Sequence, residues 1–105
     1  MVKKYKIIIE STANHDLKDI LRYFIETLKE PASAKRAYSS IKKQITQLDE
    51  MPLRFPLVRD EHLAARGIRW MLSGNYTAFY ITDETLREVH ILRILYNRRD
   101  WQNLL

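Results

Sequence analysis

The first half of the chain predicts one strand followed by two amphipathic helices. Apolar and polar positions alternate loosely from Lys4 to Glu10, as in a β-strand. Ser11 and Thr12 then offer a helix N-cap, and the following apolar residues trace one helical face. This first apolar stripe consists of Leu17, Ile20, Leu21, Phe24, Ile25 and Leu28.

A second helix is predicted to begin at Pro31, where proline loses no needed hydrogen bond. Pro52 ends it, because a proline cannot continue a helix. Few residues separate the two helices, so we expect an antiparallel hairpin. The stripe that would pack against the neighbouring helix consists of Ala34, Tyr38, Ile41, Ile45 and Leu48.

The second half predicts a loop and then three strands. Pro52 to Arg66 shows no periodicity. Gly74-Asn75 separates the first two strands of this half and suits a hairpin turn, because both residues tolerate a positive φ. In the last strand, Leu86 to Tyr96, alternation puts Val89, Ile91 and Leu95 on one face with Arg93, and Leu92 and Ile94 on the other.

These elements predict a single α+β domain spanning residues 1–105, with the order β-α-α-β-β-β. We expect a mostly antiparallel four-stranded sheet with the N-terminal helical hairpin packed on one face. The opposite face should be partly open. The side chain of either Trp70 or Arg69 must lie on this open face, because neighbouring strand residues point to opposite faces.

The charge pattern indicates an anionic partner. The net charge is +5, all lysines lie between Lys3 and Lys43, and from Met51 onward there are eight arginines and no lysine. An arginine fork grips phosphate or carboxylate with two hydrogen bonds, which favours nucleic acid or an acidic protein segment. The chain has no cysteine, and the apolar run Ile7 to Ile9 is too short for a signal peptide or membrane span. We therefore expect a cytoplasmic protein without membrane contact.

Few residues suggest catalysis. The three histidines are scattered without metal-ligand spacing, and two glycines cannot form a glycine-rich phosphate loop, so we expect no metal and no cofactor. What remains are arginines and one tyrosine near the last strands: Arg69, Arg93, Tyr96, Arg98 and Arg99. They could hold RNA phosphate, bind an anionic protein surface, or, for Arg93, pair with a carboxylate as a structural residue.

Two segments carry a resemblance to a known family. GIRWMLSGNYTAFYITD, followed by VHILRILYNRRDW, resembles the RelE/ParE superfamily of bacterial type II toxins, as do the helices DLKDILRYF and AYSSIKKQITQL. The resemblance covers nearly the whole chain. It implies a small basic toxin that a cognate antitoxin neutralises, in a toxin–antitoxin hetero-oligomer.

The superfamily has two branches, and the residues favour one. RelE-like members resemble ribosome-dependent mRNA endoribonucleases; Arg69 and Arg99 match basic positions of that site, and Arg98 and Tyr96 would complete it. However, Thr77 replaces the third-strand arginine, and no tyrosine follows Trp101.

The SGNYTAFY segment looks more like the ParE branch, whose members inhibit DNA gyrase. The prediction is therefore a protein-binding inhibitor rather than an enzyme. The alternatives are a RelE-like ribonuclease acting on the ribosome and mRNA, or an inactive antitoxin-binding member. The candidate contacts with target or antitoxin are Arg69, Trp70, Arg93, Arg98, Arg99 and Trp101.

Overall fold

Four strands and three helices make up the fold in the computed structural model, which describes residues 4–97, 101 and 104–105. The first helix continues into a π-helical turn, Tyr23–Thr27, and short 3₁₀ turns follow the second. None of the helices in these described ranges is long and apolar enough to cross a membrane. In chain order the elements are β1 (Lys6–Ile9), α1 (Ser11–Arg22), α2 (Pro31–Thr46), α3 (Glu61–Ala65), β2 (Arg69–Ser73), β3 (Tyr76–Asp83) and β4 (Glu88–Tyr96).

The sheet has the strand order β1-β4-β3-β2. The pairs β2–β3 and β3–β4 are antiparallel, whereas β1 lies parallel to β4, with Ile7 opposite Val89. The turn between β2 and β3 contains Gly74 at a φ of 60°, as the hairpin signal predicts. The predicted α+β fold is confirmed, with one parallel pair in the sheet.

The helical hairpin covers one face of the sheet, and the larger core lies between them. Tyr80 reaches into this core and donates its hydroxyl to the Pro52 carbonyl oxygen. Burial raises the pKa of Tyr80 to about 12. The buried residues of this core come from both layers and from the segment before β1: Tyr5, Ala13, Leu17, Ile41, Ile45, Leu48, Met71, Ala78, Tyr80, Val89, Ile91 and Ile94.

The predicted helical stripes are wrong at three positions. Ile25 and Leu28 are exposed, because the helix widens into the π-helical turn Tyr23–Thr27 and no longer keeps a period of 3.6 residues. Tyr38 is 38% exposed. It lies at the edge of the α2 stripe, and the Lys42 ammonium sits 5.9 Å from its ring centre.

The segment from Pro52 to Arg66 is more ordered than its sequence predicts. It contains α3, which begins after Asp60, whose carboxylate accepts a hydrogen bond from the Leu63 amide. Just before α3, Leu57 bridges to Arg69 on the edge strand β2. The segment therefore covers part of the face that the sequence analysis left open.

We call the sheet face opposite the hairpin the outer face. A second, smaller core lies on it, formed by residues of α3, the sheet and the end of the chain. The Phe79 and Trp101 ring centroids are 5.1 Å apart in this core. Its buried members are Val58, Leu63, Ile68, Phe79 and Leu95, and Trp70, Ile81, Leu92, Trp101, Leu104 and Leu105 pack against them.

The predicted alternation of β4 fails after Ile91, because the strand contains a β-bulge. Tyr80 pairs with Ile91, but the next residue back, Phe79, pairs with Arg93, so Leu92 is the extra residue. A bulge shifts the facing of every residue beyond it. Ile94 consequently joins the core beneath the hairpin, and Leu95 joins the outer one, the reverse of the prediction.

Candidate functional site

Arg69 and Trp70 begin β2 and point to opposite faces. Trp70 packs in the outer core, whereas Arg69 pairs with Tyr80 and lies on the hairpin side. The Arg69 Nη1 atom donates to the Phe55 carbonyl oxygen at 2.6 Å. Of the two residues, Trp70 is therefore the one that looks to the outer face.

Arg93 is bound inside the fold. Its Nε and Nη2 atoms donate to Asp16 Oδ2 and Oδ1 at 2.8 and 2.9 Å, and its Nη1 donates to the Leu104 carbonyl oxygen at 2.9 Å. Asp16 Oδ2 also accepts from the Ile94 amide at 2.9 Å, beside the bulge. The hydrogen bonds to Asp16 raise the pKa of Arg93 further, against the effect of burial. The side chain has the carboxylate partner that an arginine in an apolar strand requires.

Tyr96 and Trp101 lie on opposite sides of the sheet. Tyr96 is exposed, and its ring meets the edge of Tyr76 at 5.8 Å between centroids, on the hairpin side. Burial and the charges of nearby phenols raise the pKa of Tyr76. Trp101 packs on the outer face against Phe79. Arg98 and Arg99 lie outside the described residues.

Of the four candidate ribonuclease residues, the structure describes Arg69 and Tyr96, and it does not bring these two together. Arg69 is at one end of β2, and Tyr96 pairs with Tyr76, which faces Ser73 at the other end. Four residues of strand separate these levels, or about 13 Å. With Arg69 bound to the Phe55 carbonyl oxygen, its guanidinium and the phenol of Tyr96 do not form one phosphate site in this structure.

A groove opens on the hairpin side where the π-helical turn leaves the sheet; we call it the helix groove. Its volume is about 570 Å³. Apolar and aromatic side chains line most of it, and Asp16 and Asp19 supply carboxylates. The exposed ring of Tyr23 stands at its edge. The other aromatic and aliphatic lining residues are Ile20, Phe24, Leu28, Tyr76, Ile94, Leu95 and Tyr96.

A second cavity lies on the outer face, and we call it the indole pocket. Its volume is about 300 Å³, and its lining includes both tryptophans of the chain. Thr77, at the position where the resemblance expects an arginine in a ribonuclease, lines it and donates to Asn97 Oδ1 at 2.7 Å. The full lining is Val58, Arg59, Trp70, Leu72, Thr77, Phe79, Asn97 and Trp101.

Sequence reasoning missed several residues of these surfaces. Of the helix groove, Phe24 is predicted only as part of a helix stripe, and Tyr23 is not among the candidates; Arg59 of the indole pocket is not among them either. One signal was available: the chain has two tryptophans, and both were already among the candidate contacts. That Trp70 and Trp101 share a cavity depends on how the end of the chain folds back, which no local pattern predicts.

His90 forms a separate charged cluster on the outer side of β4. Its Nδ1 lies 2.7 Å from Glu10 Oε1, and its Nε2 lies 3.0 Å from Glu88 Oε1. The hydrogen bond to Glu10, helped by Glu88, raises the pKa of His90 although burial opposes it. No group of three or more histidine, aspartate or glutamate side chains within the described ranges could hold a metal ion.

This cluster predicts a pH dependence of stability. Because folding raises the pKa of His90, its contribution is complete below the unfolded value of about 6.5 and is lost as pH rises through the folded value. We expect the free energy of unfolding, relative to a His90→Gln variant, to fall across that window. Denaturant melts at several pH values measure this difference in the free energy of unfolding. Glu10→Gln should narrow the pH range over which it falls, because the variant removes the largest cause of the raised pKa of His90. An equal difference at every pH would contradict the prediction.

Comparison with known proteins identifies the family. Residues 7–101 match the model of the ParE toxin of type II toxin–antitoxin systems, parDE. The chain belongs to the ParE toxin family. This confirms the predicted membership of the RelE/ParE superfamily. No curated protein sequence matches the chain significantly.

Solved structures share the fold of this ParE-family chain. The chromosomal ParDE system of P. aeruginosa matches with a TM-score of 0.73 and 21% identity, over 90% of this chain and 98% of that one. The RelBE2 toxin–antitoxin complex of Mycobacterium tuberculosis matches at 0.69 and 21%, over 91% and 94%. The archaeal RelE–RelB complex of Pyrococcus horikoshii OT3 matches at 0.60 and 13%, over 91% and 98%.

Proposed function

We propose that this ParE-family toxin is neutralised by a cognate antitoxin protein and that it inhibits DNA gyrase by binding it, without cutting RNA. Family membership supplies the class, a toxin of a type II toxin–antitoxin system. The finer statements have different support: the exposed apolar surfaces described above favour an antitoxin partner, and the resemblance of the SGNYTAFY segment to the ParE branch favours gyrase as the target.

The single observation that favours a binding role over RNA cleavage is that Arg69 and Arg93 bind groups of the protein itself. Arg93 is held by Asp16, and Arg69 donates to a backbone carbonyl. Thr77 donates to Asn97. Ribonucleases of this kind need a phosphate clamp beside a group that transfers a proton. The side chains in the described part of the chain do not assemble one.

The exposed apolar surfaces support a protein partner. The helix groove and the indole pocket lie on opposite faces, and each carries exposed apolar side chains, such as Tyr23 and Leu72. Surfaces of this kind commonly mark protein-binding sites. Two of the similar structures are toxin–antitoxin complexes. An antitoxin that wraps this toxin would cover both surfaces.

One observation favours a second candidate, a RelE-like endoribonuclease acting on ribosome-bound mRNA. The phenol of Tyr96 is exposed at the end of β4, and Arg98 and Arg99 follow it in the sequence. A tyrosine next to basic residues can support proton transfer at a phosphate. This arrangement would have to work without Arg69, which is at the far end of β2.

Purified toxin tested on both targets distinguishes the candidates. We expect it to inhibit DNA supercoiling by gyrase and to induce gyrase-dependent DNA breaks, and we expect the cognate antitoxin to reverse both. Ribosome-bound message incubated with the same preparation should stay intact. Cleavage of that message, with gyrase unaffected, would contradict the proposal and establish the ribonuclease. If the chain leaves both targets and cell growth unaffected but still binds antitoxin, it is an inactive binding module.

A further inference from the structure

The indole pocket has the features of a binding site for one large apolar group. Trp70 and Trp101 form two of its walls, and Val58 and Phe79 extend the apolar lining. At its edge Leu72 is 54% exposed on a strand that is otherwise half-buried or buried. An apolar cavity that continues into an exposed leucine is typical of a surface that a partner covers.

Thr77 and Asn97, two polar side chains of the pocket, are hydrogen-bonded to their neighbours. The hydroxyl of Thr77 donates to Asn97 Oδ1 at 2.7 Å, and Asn97 Nδ2 donates to the Gly74 carbonyl oxygen at 3.2 Å. Reading a nucleobase requires hydrogen bonds to its edges as well as stacking. The described residues of the lining offer few groups for that purpose, so they suit an aliphatic or aromatic protein side chain better.

The charge of the pocket indicates what flanks that side chain. Among the described residues of its lining, Arg59 is the charged one, and the chain as a whole carries +5. An arginine at the rim of an apolar pocket pairs well with a carboxylate, which it can bind through two hydrogen bonds. A partner with an acidic residue next to its apolar side chain would satisfy both features.

We propose that the indole pocket binds one bulky apolar side chain from an acidic segment of the antitoxin, with a neighbouring carboxylate on Arg59. This inference rests on the proposed function, because it assigns the segment to the neutralising partner. It names a contact that the toxin–antitoxin class alone does not specify. The anchor side chain packs against the apolar lining to which both indoles belong, and a volume of about 300 Å³ leaves room for one such group.

The two tryptophans make the pocket directly observable. Both line it, so the intrinsic tryptophan emission of the protein reports its occupancy. The probes are synthetic peptides of glutamate and serine with one central leucine, the same peptide with serine for leucine, and a lysine version that keeps the leucine. We expect the acidic leucine peptide to cause a saturable change in the tryptophan emission. The affinity of the other two peptides should be lower by about tenfold or more.

Matched variants test the two contacts. Leu72→Glu places a negative charge beside the anchor. The control, Leu86→Glu, makes the same change at an exposed leucine in the turn that follows the other end of β3. Arg59→Glu removes the cation, and Lys35→Glu makes the same charge change on α2. We expect the first member of each pair to weaken binding of the acidic leucine peptide about tenfold or more, and the second to leave it unchanged.

Three results would overturn the inference. They are no emission change with the acidic leucine peptide, equal binding of the serine peptide, and tighter binding of a single-stranded oligonucleotide, which would assign the pocket to nucleic acid. Neutralisation separates this inference from the proposed function. If the antitoxin protects gyrase equally well from wild-type toxin and from Leu72→Glu, the toxin–antitoxin proposal stands and the pocket assignment is wrong.

Discussion

An Asp16→Ala variant is expected to lose about 3–5 kcal/mol in its free energy of unfolding. The substitution leaves the guanidinium of Arg93 without its carboxylate partner and the Ile94 amide of the bulge without an acceptor. The Ile94 amide is buried, and the Arg93 side chain is 22% exposed; removing one member of a mostly buried pair costs more than the pair contributes by itself. Denaturation in urea, followed by circular dichroism, measures the loss.

The matched control is Asp19→Ala, one turn further along α1. Asp19 meets Arg22 at 3.5 Å in an exposed pair, so its loss should cost less than about 1 kcal/mol. If the two variants are equally stable, the buried pair is not what fixes α1 on β4. A double variant, Asp16→Leu with Arg93→Met, should recover part of the lost stability, because it leaves no unpaired charge inside the fold.

An Ile45→Ala variant is expected to lower the free energy of unfolding by about 3 kcal/mol. Ile45 is 1% exposed and lies in the core between α2 and the sheet, so the change removes buried methyl groups and leaves a cavity. Tyr38→Ala removes a larger side chain from the same helix, yet should cost less than about 1 kcal/mol, because Tyr38 is exposed.

Thermal and urea melts of the two variants compare them directly. If the two variants lose equal stability, Tyr38 is a core residue and the stripe predicted from the sequence for α2 is correct. A larger loss for Ile45→Ala would agree with Tyr38 lying at the exposed edge of the packed stripe of α2.

The pair between Asp16 and Arg93 connects the two candidate surfaces. Asp16 belongs to α1 and lines the helix groove, while Arg93 also donates to the Leu104 carbonyl oxygen, near Trp101 of the indole pocket. One arginine in β4 therefore holds elements on both faces of the sheet. For this reason we assign Arg93 a structural contribution, and we test partner binding on Leu72 and Arg59 instead.

The sequence determined most of the architecture. Alternation and helical spacing located every strand and both long helices, because each of these elements buries one face and local periodicity records that. The segments GIRWMLSGNYTAFYITD and VHILRILYNRRDW indicated the family, and the match over residues 7–101 confirms it. The need of Arg93 for a carboxylate also follows from its position in an apolar strand.

The tertiary structure decided what depends on distant parts of the chain. The bulge at Leu92 reverses the facing of Ile94 and Leu95, and it is stabilised by Asp16, 78 residues before Ile94. Trp101 meets Phe79 because the end of the chain returns to the outer face. Periodicity records which face of an element is buried, but not which element covers it. The candidate pockets therefore emerged only with the fold.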